Sequence, residues 1–227
     1  EYNLAGVPIT GIGHDERYFP VMGEGQDTLI SFHREVIPVD GQFQDLYVYL
    51  GTAPGAGNTR TFTLNVNGSD SGVSCSIADS STSCLDTSNT YSVTQGDLVV
   101  LHETSDVPCC ASSGATWATT YKSYEAGIYP WMGVNEDNVT HGTRYFVFGS
   151  NTTPDSTEDN RKAISNQVSV SRMVAAITTD AEVMSGSVQF MTRKNKADTS
   201  LECTIAESES SCSVEATVNL VDDDFID

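Results

Sequence analysis

Basic side chains are scarce in this 227-residue sequence: 11 Lys and Arg stand against 31 Asp and Glu, a formal net charge of −20. Nucleic-acid binding depends on basic side chains that release counterions from phosphates, and no basic stripe is present. We therefore expect no nucleic-acid partner. The same charge would repel anionic lipid headgroups. An acidic chain rich in Ser and Thr is typical of extracellular, cell-surface or virion-surface proteins, in which charge provides solubility.

Long apolar runs are also missing. No stretch of eighteen apolar residues occurs, so we expect no membrane insertion. Because the sequence begins at Glu1 rather than Met, the lack of a leader carries no information on secretion.

Catalytic motifs are absent as well: the sequence contains no Gly-x-Ser-x-Gly elbow, no His-Glu-x-x-His and no P-loop. Two of the four histidines, His14 and His141, stand at matched positions before an Arg-Tyr-Phe strand start, which favours a structural role. The other two, His33 and His102, fall in or beside predicted strands. We expect the protein not to be an enzyme, although a Ser-His-Asp triad with distant members leaves no motif.

Acidic clusters offer the main indication of a bound ion. Residues 135–138, 155–159 and 222–224 are rich in Asp and Glu. None has the spacing of an EF-hand loop, and calcium needs about six to eight oxygen ligands. We expect no cofactor, with a structural calcium as the alternative.

A repeated stretch dominates the rest of the sequence. Thr61–Cys84 recurs as Gln189–Cys212 at a constant step of 128 residues. The matched pairs include Phe62 and Phe190, Asn67 and Asn195, Asp70 and Asp198, Cys75 and Cys203, and Cys84 and Cys212. Such a match predicts a duplicated folding unit, and the chain length accommodates two domains of about 110 residues.

Each repeat has the pattern of a β-rich unit. Apolar residues alternate with polar ones or tyrosines in Phe43–Leu50, which indicates a half-buried strand, and Asn67-Gly68 is the dipeptide of a type I′ hairpin turn. Thr28–Ile37 is predicted as another strand and Gly51–Asn58 as a turn. About eight short strands per repeat predict an all-β chain of two tandem jelly-roll or Greek-key β-sandwiches. The predicted segments are an N-terminal extension (1–13), the first sandwich (14–126), a linker (127–140) and the second sandwich (141–227).

The second sandwich is predicted to lack its closing strand. Aligning 224–226 with 97–99 leaves no counterpart of Trp117–Tyr124, so backbone groups and a groove would stay uncovered. The chain could continue, the fold could close locally, or a strand could come from another molecule. Residues 1–13 are the candidate donor strand, adding to a sheet of their own or of another subunit. The apolar residues of this candidate assembly strand are Leu4, Val7, Ile9 and Ile12.

Four of the six cysteines occupy matched positions. Cys75 with Cys84, and Cys203 with Cys212, each enclose eight residues. We predict that each pair staples a β-hairpin through a disulfide, which implies an oxidising compartment. Zinc is the alternative, but Cys-x8-Cys without a neighbouring His is poor ligand spacing.

Two further features concern covalent chemistry at the surface. Adjacent Cys109 and Cys110 could close a strained vicinal disulfide, cross-link a neighbouring subunit or stay reduced. Asn67, Asn138 and Asn151 begin Asn-x-Ser/Thr tripeptides and are candidate glycosylation sites if the source cell glycosylates.

The turn segment APGAGNTRTFTLNVNG, the Cys-bracketed Ser/Thr stretch after it and the later SVTQGDLV resemble a jelly-roll repeat of uncharacterised surface, fibre and decoration proteins of phages and environmental bacteria. The resemblance covers most of Asp40–Val100 and, more faintly, Val170–Asp227. It implies a repeat type and no catalytic residues. Repeat two departs from it at DAEVMSG, where repeat one has TAPGAGN.

These patterns favour a structural subunit of an extracellular filament or surface assembly, a homo-polymer joined by strand exchange. The first alternative is a phage fibre or capsid-decoration protein that binds a surface glycan or a lattice. The second is a carbohydrate-binding module or carbohydrate-active enzyme. Its candidate platform residues for a glycan are Tyr47, Tyr49, Trp117, Tyr129 and Trp131.

Overall fold

The computed structural model describes residues 2–13, 16–23, 25–106, 113–128, 130–133, 162–163, 167–177 and 186–226. Within these ranges the regular structure is β-strand apart from one 3-10 turn at Ile30–Phe32. No helix among the described residues has the length and apolar character to cross a membrane. The described chain is all-β, as predicted, and divides into two compact units, Glu1–Pro130 and Trp131–Asp227.

The first unit has nine strands in its described residues. They are β1 (Tyr2–Ile12), β2 (Arg17–Phe19), β3 (Glu35–Val36), β4 (Gly41–Leu50), β5 (Gly55–Val66), β6 (Ser69–Asp79), β7 (Ser83–Val93), β8 (Leu98–Ser105) and β9 (Ser113–Ser123). One antiparallel sheet has the order β1-β9-β4-β7, and the other has the order β2-β8-β5-β6, with β3 also pairing β8. The first and last strands of this unit are therefore neighbours.

The core of the first unit draws side chains from both sheets. Phe19 of β2 and Trp117 of β9 belong to different sheets, yet their ring centroids lie 5.3 Å apart. The apolar side chains that become fully buried include Phe43, Phe62, Val73, Ile77 and Val99. Burial of this apolar surface is the main favourable term in folding the unit.

Strand β4 shows how the sequence pattern produces two faces. Leu46, Val48 and Leu50 are at most 1% exposed, whereas Tyr47 and Tyr49 are 41% and 45% exposed. Successive side chains of a strand point to opposite faces. The predicted alternation is therefore confirmed.

Two predictions are wrong, both in segments rich in local hydrogen bonds. Thr28–Ile37 is not a single strand, because the Asp27 carboxylate accepts from the Leu29 amide at 2.9 Å and a 3-10 turn follows. Such side-chain bonds compete with strand pairing. The predicted turn at 51–58 instead contributes its second half to β5, where Asp79 accepts from the Gly57 amide at 2.7 Å.

The second unit has six strands in its described residues. They are β10 (Lys162–Ala163), β11 (Val168–Ala176), β12 (Val188–Lys194), β13 (Ala197–Ile205), β14 (Ser211–Leu220) and β15 (Phe225–Ile226). One sheet has the order β10-β15-β12-β13, and the other consists of β11 and β14. A small core forms from Leu201, Val218, Leu220 and Ile226, with Trp131 packed against it.

Strand pairings of the first unit recur in the second. Phe62 lies opposite Cys75 in the β5–β6 ladder, and Phe190 lies opposite Cys203 in the β12–β13 ladder, 128 residues further on. The β11–β14 ladder likewise repeats the register of β4–β7, and β10–β15 repeats that of β3–β8. The sequence repeat therefore corresponds to a repeat of strand register.

A hairpin clamp accounts for the repeated asparagine. Asn67 and Gly68 both have positive φ, 53° and 84°, which confirms the predicted type I′ turn. The Asn67 side chain donates to Asp97 Oδ1 at 2.8 Å and accepts from the Leu98 amide at 2.8 Å. The tip of the β5–β6 hairpin is thereby fixed to the start of β8.

The second unit repeats this clamp with Asn195. Its side chain donates to Asp224 Oδ1 at 2.6 Å and accepts from the Phe225 amide at 2.9 Å. The hydrogen bond from Lys194, 2.8 Å away, and the Val221 amide hold the pKa of Asp224 down at about 2. The carboxylate therefore stays ionised and available as an acceptor.

One residue of the second hairpin adopts an unfavourable backbone conformation. Lys196 has φ of 70° at the position that Gly68 occupies in the first hairpin. A non-glycine residue loses roughly 1–2 kcal/mol in the left-handed region, partly offset by the higher entropy of unfolded glycine. We expect Lys196→Gly to stabilise the second unit by about 0.5–1 kcal/mol and Gly68→Lys to destabilise the first by a similar amount. Thermal unfolding of both variants checks the prediction, and equal shifts of the same sign would contradict it.

Candidate functional site

The N-terminal strand is seated in the sheet of the first unit. β1 pairs antiparallel with β9, from Tyr2 opposite Tyr121 to Ile12 opposite Ser113, with two register irregularities. Of the predicted assembly residues, Leu4 and Ile12 are 3% and 0% exposed. The other two, at positions 7 and 9, lie in β1, but their side chains fall outside the described part of the structure.

Gly6 allows β1 to lie against the Trp117 ring. A Cβ atom at Gly6 would lie 2.0 Å from the Trp117 ring, a distance that real Cβ contacts do not reach. The indole covers the strand here and donates from Nε1 to the Val21 carbonyl at 3.1 Å. Glycine is thus required at position 6 as long as β1 lies on β9.

A buried ion pair fixes the far end of β1. Arg60 and Glu103 are both fully buried and lie 2.7 Å apart. The Arg60 guanidinium also donates to the carbonyls of Gly13 at 2.8 Å and Ile12 at 3.4 Å. Burial raises the pKa of Glu103, and Arg60 opposes that effect. The buried Arg60 guanidinium therefore binds the carbonyl of Ile12, the last residue of β1, and that of Gly13, which follows it.

The second unit differs at the equivalent sheet. In the first unit β4 pairs with β7 on one side and β9 on the other. Its counterpart β11 pairs, among the described residues, with β14 alone. The edge of β11 that corresponds to the β9 side of β4 therefore has no strand on it in the described part of the chain.

Side-chain burial agrees with this difference in pairing. The inward residues of β4 are at most 1% exposed. The residues 127 positions further on are all partly exposed: Val170, Met173, Ala175 and Ile177. An apolar face that is half covered, next to an edge of backbone N–H and C=O groups, can accept another strand, because ladder hydrogen bonds and burial both become available.

The disulfides form between the predicted partners. Cys75 pairs with Cys84 and Cys203 with Cys212, with Cα–Cα distances of 5.7 and 5.8 Å. The sequence suggested that each disulfide staples a β-hairpin, and this prediction is wrong. In each unit the two cysteines belong to strands of different sheets, β6 and β7 or β13 and β14. Each bond therefore ties the two sheets together at a corner, and two disulfides are typical of extracellular proteins.

Because both disulfides span the same nine-residue separation, they should stabilise their units equally. The loop-entropy estimate is about 2.5–3 kcal/mol each. We expect Cys75→Ala with Cys84→Ala to lower the stability of the first unit by this amount. The matched pair Cys203→Ala with Cys212→Ala should do the same in the second. Urea unfolding with and without reductant measures both losses, and a variant as stable as the oxidised wild type would contradict the prediction.

The other candidate modification sites are only partly visible. The Asn67 side chain is exposed but takes part in the hairpin clamp, and the equivalent Asn195 begins no glycosylation tripeptide. The clamp therefore accounts for the asparagine, and glycosylation at Asn67 stays a prediction. Asn138, Asn151, Cys109 and Cys110 lie outside the described residues.

No sequence pattern indicated the charged cluster around His102. Its Nδ1 lies 2.8 Å from Asp70 Oδ1 and its Nε2 lies 2.5 Å from Glu16 Oε1. The Tyr18 ring stacks on the imidazole at 4.7 Å, and its hydroxyl donates to Glu16 at 2.9 Å. Burial, followed by the bond to Glu16, raises the pKa of Tyr18 to about 12.

Both ring nitrogens of His102 are within hydrogen-bonding distance of a carboxylate oxygen. The ion cluster links the segment before β2, through Glu16, to the β5–β6 hairpin, through Asp70. Among the described residues, no group of three or more His, Cys, Asp or Glu side chains is arranged to hold a metal ion.

The candidate glycan platform residues are not brought together. Trp117 is 3% exposed and lies in the core of the first unit, so its proposed surface role is wrong. Trp131 packs against the core of the second unit, and Tyr129 lies outside the described residues. Tyr47 and Tyr49 remain, side by side on an exposed sheet face.

Comparison with known proteins adds no assignment: no family model matches this chain, and no curated protein matches it in sequence.

Proposed function

We propose that the protein is a structural subunit of an extracellular filament or surface assembly, joined to neighbouring copies by strand addition. We also infer that both units are copies of one jelly roll. Apart from the short β3, the sheet orders of the first unit follow the double Greek key of that fold. The observation that supports the proposal best is the half-covered apolar face of β11, next to an edge without a partner strand among the described residues.

The acceptor is defined by comparison with the first unit. There, β9 supplies Ala115, Trp117 and Tyr121 as buried side chains over the inward face of β4. A strand added to β11 would cover Val170, Met173 and Ala175 in the same manner. Such an addition is head-to-tail, and head-to-tail contacts that do not close into a ring form filaments.

The donor we propose is β1 of a second copy. It lies at the end of its sheet, where its ladder with β9 is broken twice and its other edge forms one isolated bridge, from Gly6 to Gly23. In the isolated chain β1 occupies its own first unit, so exchange requires it to leave the Trp117 ring and the Arg60 guanidinium. Releasing β1 from its own unit therefore costs free energy. Assembly requires that the hydrogen bonds and apolar burial gained on β11 exceed this cost.

The acceptor face is tested by a matched pair of substitutions on β11. Ala175→Glu places a charge on the inward face, whereas Val174→Glu places it on the outward face, one residue away. We expect the wild type and Val174→Glu to form polymers in negative-stain images and size-exclusion chromatography. Ala175→Glu and a chain without residues 1–13 should stay monomeric. Polymers of Ala175→Glu, or monomers and compact rings in every sample, would overturn the proposal.

A peptide experiment tests residues 1–13 as a donor strand, and Ala175→Glu in the truncated chain separates binding at β11 from rebinding beside β9. A fluorescent peptide of residues 1–13 should bind the chain that lacks those residues. The same peptide with Leu4→Asp and Ile12→Asp should not, because these side chains are the buried ones. Gly6→Val in the full chain expels β1 from its own seat, so it should increase polymer formation if β1 adds to β11. A destabilised monomer would show that β1 belongs only to its own sheet.

A further inference from the structure

The outer face of the β1-β9-β4-β7 sheet carries two adjacent cross-strand rows. In the first, Leu85, Tyr47 and Ala118 lie side by side on β7, β4 and β9; in the second, Ser83, Tyr49 and Thr116 do. We call these six residues the tyrosine face. Tyr47, Tyr49 and Leu85 are 41%, 45% and 57% exposed, so the aromatic and apolar surface here is open to solvent.

The fold does not need this face. In the second unit the equivalent positions hold Val174, Ala176 and Ser213, and the β11–β14 ladder keeps the same register as β4–β7. The repeat thus keeps its clamp, its disulfide and the β4–β7 type of pairing but not its exposed tyrosines. A cross-strand Tyr–Leu pair adds only about 0.2–1 kcal/mol to a sheet. The tyrosines are therefore a property of the first unit alone.

The chemistry of the tyrosine face is that of an uncharged, amphipathic surface. None of its six side chains is ionisable near neutral pH, in a chain whose net charge is −20. Hydroxyl groups of Ser83 and Thr116 flank the Tyr49 ring. Two same-face residues of a strand lie about 6.6–6.8 Å apart, so the two tyrosines are neighbours on one face of β4.

We propose that the tyrosine face binds a neutral saccharide chain. The negative faces of the two rings attract the C–H groups of pyranose rings laid on them, while the flanking hydroxyls can exchange hydrogen bonds with sugar hydroxyls. The charge of the protein disfavours acidic glycans and anionic lipid surfaces. A neutral polyol is compatible with the aromatic rings, with the flanking hydroxyls and with the net charge of the protein. The site is on the first unit and does not depend on strand addition.

Native affinity electrophoresis of the full chain tests this proposal. The gels contain hydroxyethyl cellulose, konjac glucomannan, barley β-glucan or, as an acidic control, alginate. We expect retardation by at least one neutral polysaccharide and none by alginate. The variant Tyr47→Ala/Tyr49→Ala should bind at least tenfold more weakly, with unchanged thermal unfolding of the second unit and cooperative unfolding of the first.

The matched control is Tyr124→Ala, which removes a tyrosine that is 58% exposed and lies off the two rows. It should bind like the wild type. The variant Tyr47→Phe/Tyr49→Phe keeps the rings and should retain most of the retardation. No retardation in any neutral gel, equal loss in Tyr124→Ala, or retardation by alginate would overturn the proposal. So would a concentration-dependent dimer in sedimentation that Tyr47→Ala/Tyr49→Ala abolishes, because the face would then be an interface between copies.

Discussion

Replacing Arg60 with Met should cost the first unit about 3–5 kcal/mol of its free energy of unfolding. The substitution removes the guanidinium that lies 2.7 Å from the buried Glu103 carboxylate and the donor to the carbonyls of Ile12 and Gly13; Arg17, which also lowers the pKa of Glu103, remains. Removing one partner of a buried pair is far more damaging than removing both. The double variant Arg60→Met/Glu103→Leu should therefore recover most of the loss, although the two carbonyls remain without their donor.

The measurement can be confined to the first unit. The chain has two tryptophans, Trp117 in the first core and Trp131 in the second. In a Trp131→Phe background, urea unfolding followed by fluorescence reports on Trp117, and the double-mutant cycle gives the coupling between Arg60 and Glu103. A single variant as stable as its parent, or a double variant less stable than Arg60→Met, would contradict the expected coupling.

Glu35→Gln should make the first unit more stable at pH 8 and leave it unchanged near pH 4.5. Glu35 is fully buried, and its carboxyl group accepts from the Met22 amide at 2.9 Å. Burial raises its pKa from 4.5 to about 8. Between these values the folded protein holds a proton that the unfolded chain has lost. Stability is therefore complete below the unfolded pKa and falls as pH rises, by about 1.4 kcal/mol per pH unit.

The sign of the slope distinguishes Glu35 from the carboxyl groups whose pKa is lowered; Glu103, whose pKa is raised by burial, contributes a slope of the same sign that Glu35→Gln leaves in place. The pKa values of Asp86 and Asp224 are lowered from 3.8, so the stability they contribute is present above pH 3.8 and is lost as pH falls further. Unfolding free energies of the wild type should decline from pH 5 to pH 8, and those of Glu35→Gln should decline much less. Glu207→Gln, at an exposed position of the second unit, is the control. A wild-type profile that is flat over this range would sink the prediction.

Local patterns were sufficient to predict much of the fold. Alternation predicted β4, and the Asn67-Gly68 dipeptide predicted the turn of the β5–β6 hairpin, because each of these signals lies within a few residues. The repeat predicted matched pairings because its pattern occurs twice in the sequence. Thr28–Ile37 was mispredicted since its apolar residues suggest a strand, while the Asp27 carboxylate caps a turn. Strand propensity takes no account of a side-chain hydrogen bond that competes with strand pairing.

The candidate sites were less accessible to sequence reasoning because they depend on long-range contacts. Glu16 meets His102 across 86 residues and Arg60 meets Glu103 across 43, with no repeated pattern to link them. The disulfide partners were predicted correctly, but a spacing cannot show that two strands lie in different sheets. Trp117 resembles any exposed platform residue until its neighbours are known.

The pairing of β1 with β9 also has a consequence for the order of synthesis. β1 leaves the ribosome before the other described strands, and its partner Tyr121 follows Tyr2 by 119 residues (121 − 2). At about 5–20 residues per second, β1 waits roughly 6–24 s before its own sheet exists. On a crowded polysome, strands of adjacent nascent chains are present throughout that wait. If copies exchange β1 as we propose, the time at which β1 meets an available edge, and not only the stability of the finished sheet, would influence the fraction of chains joined to a neighbour.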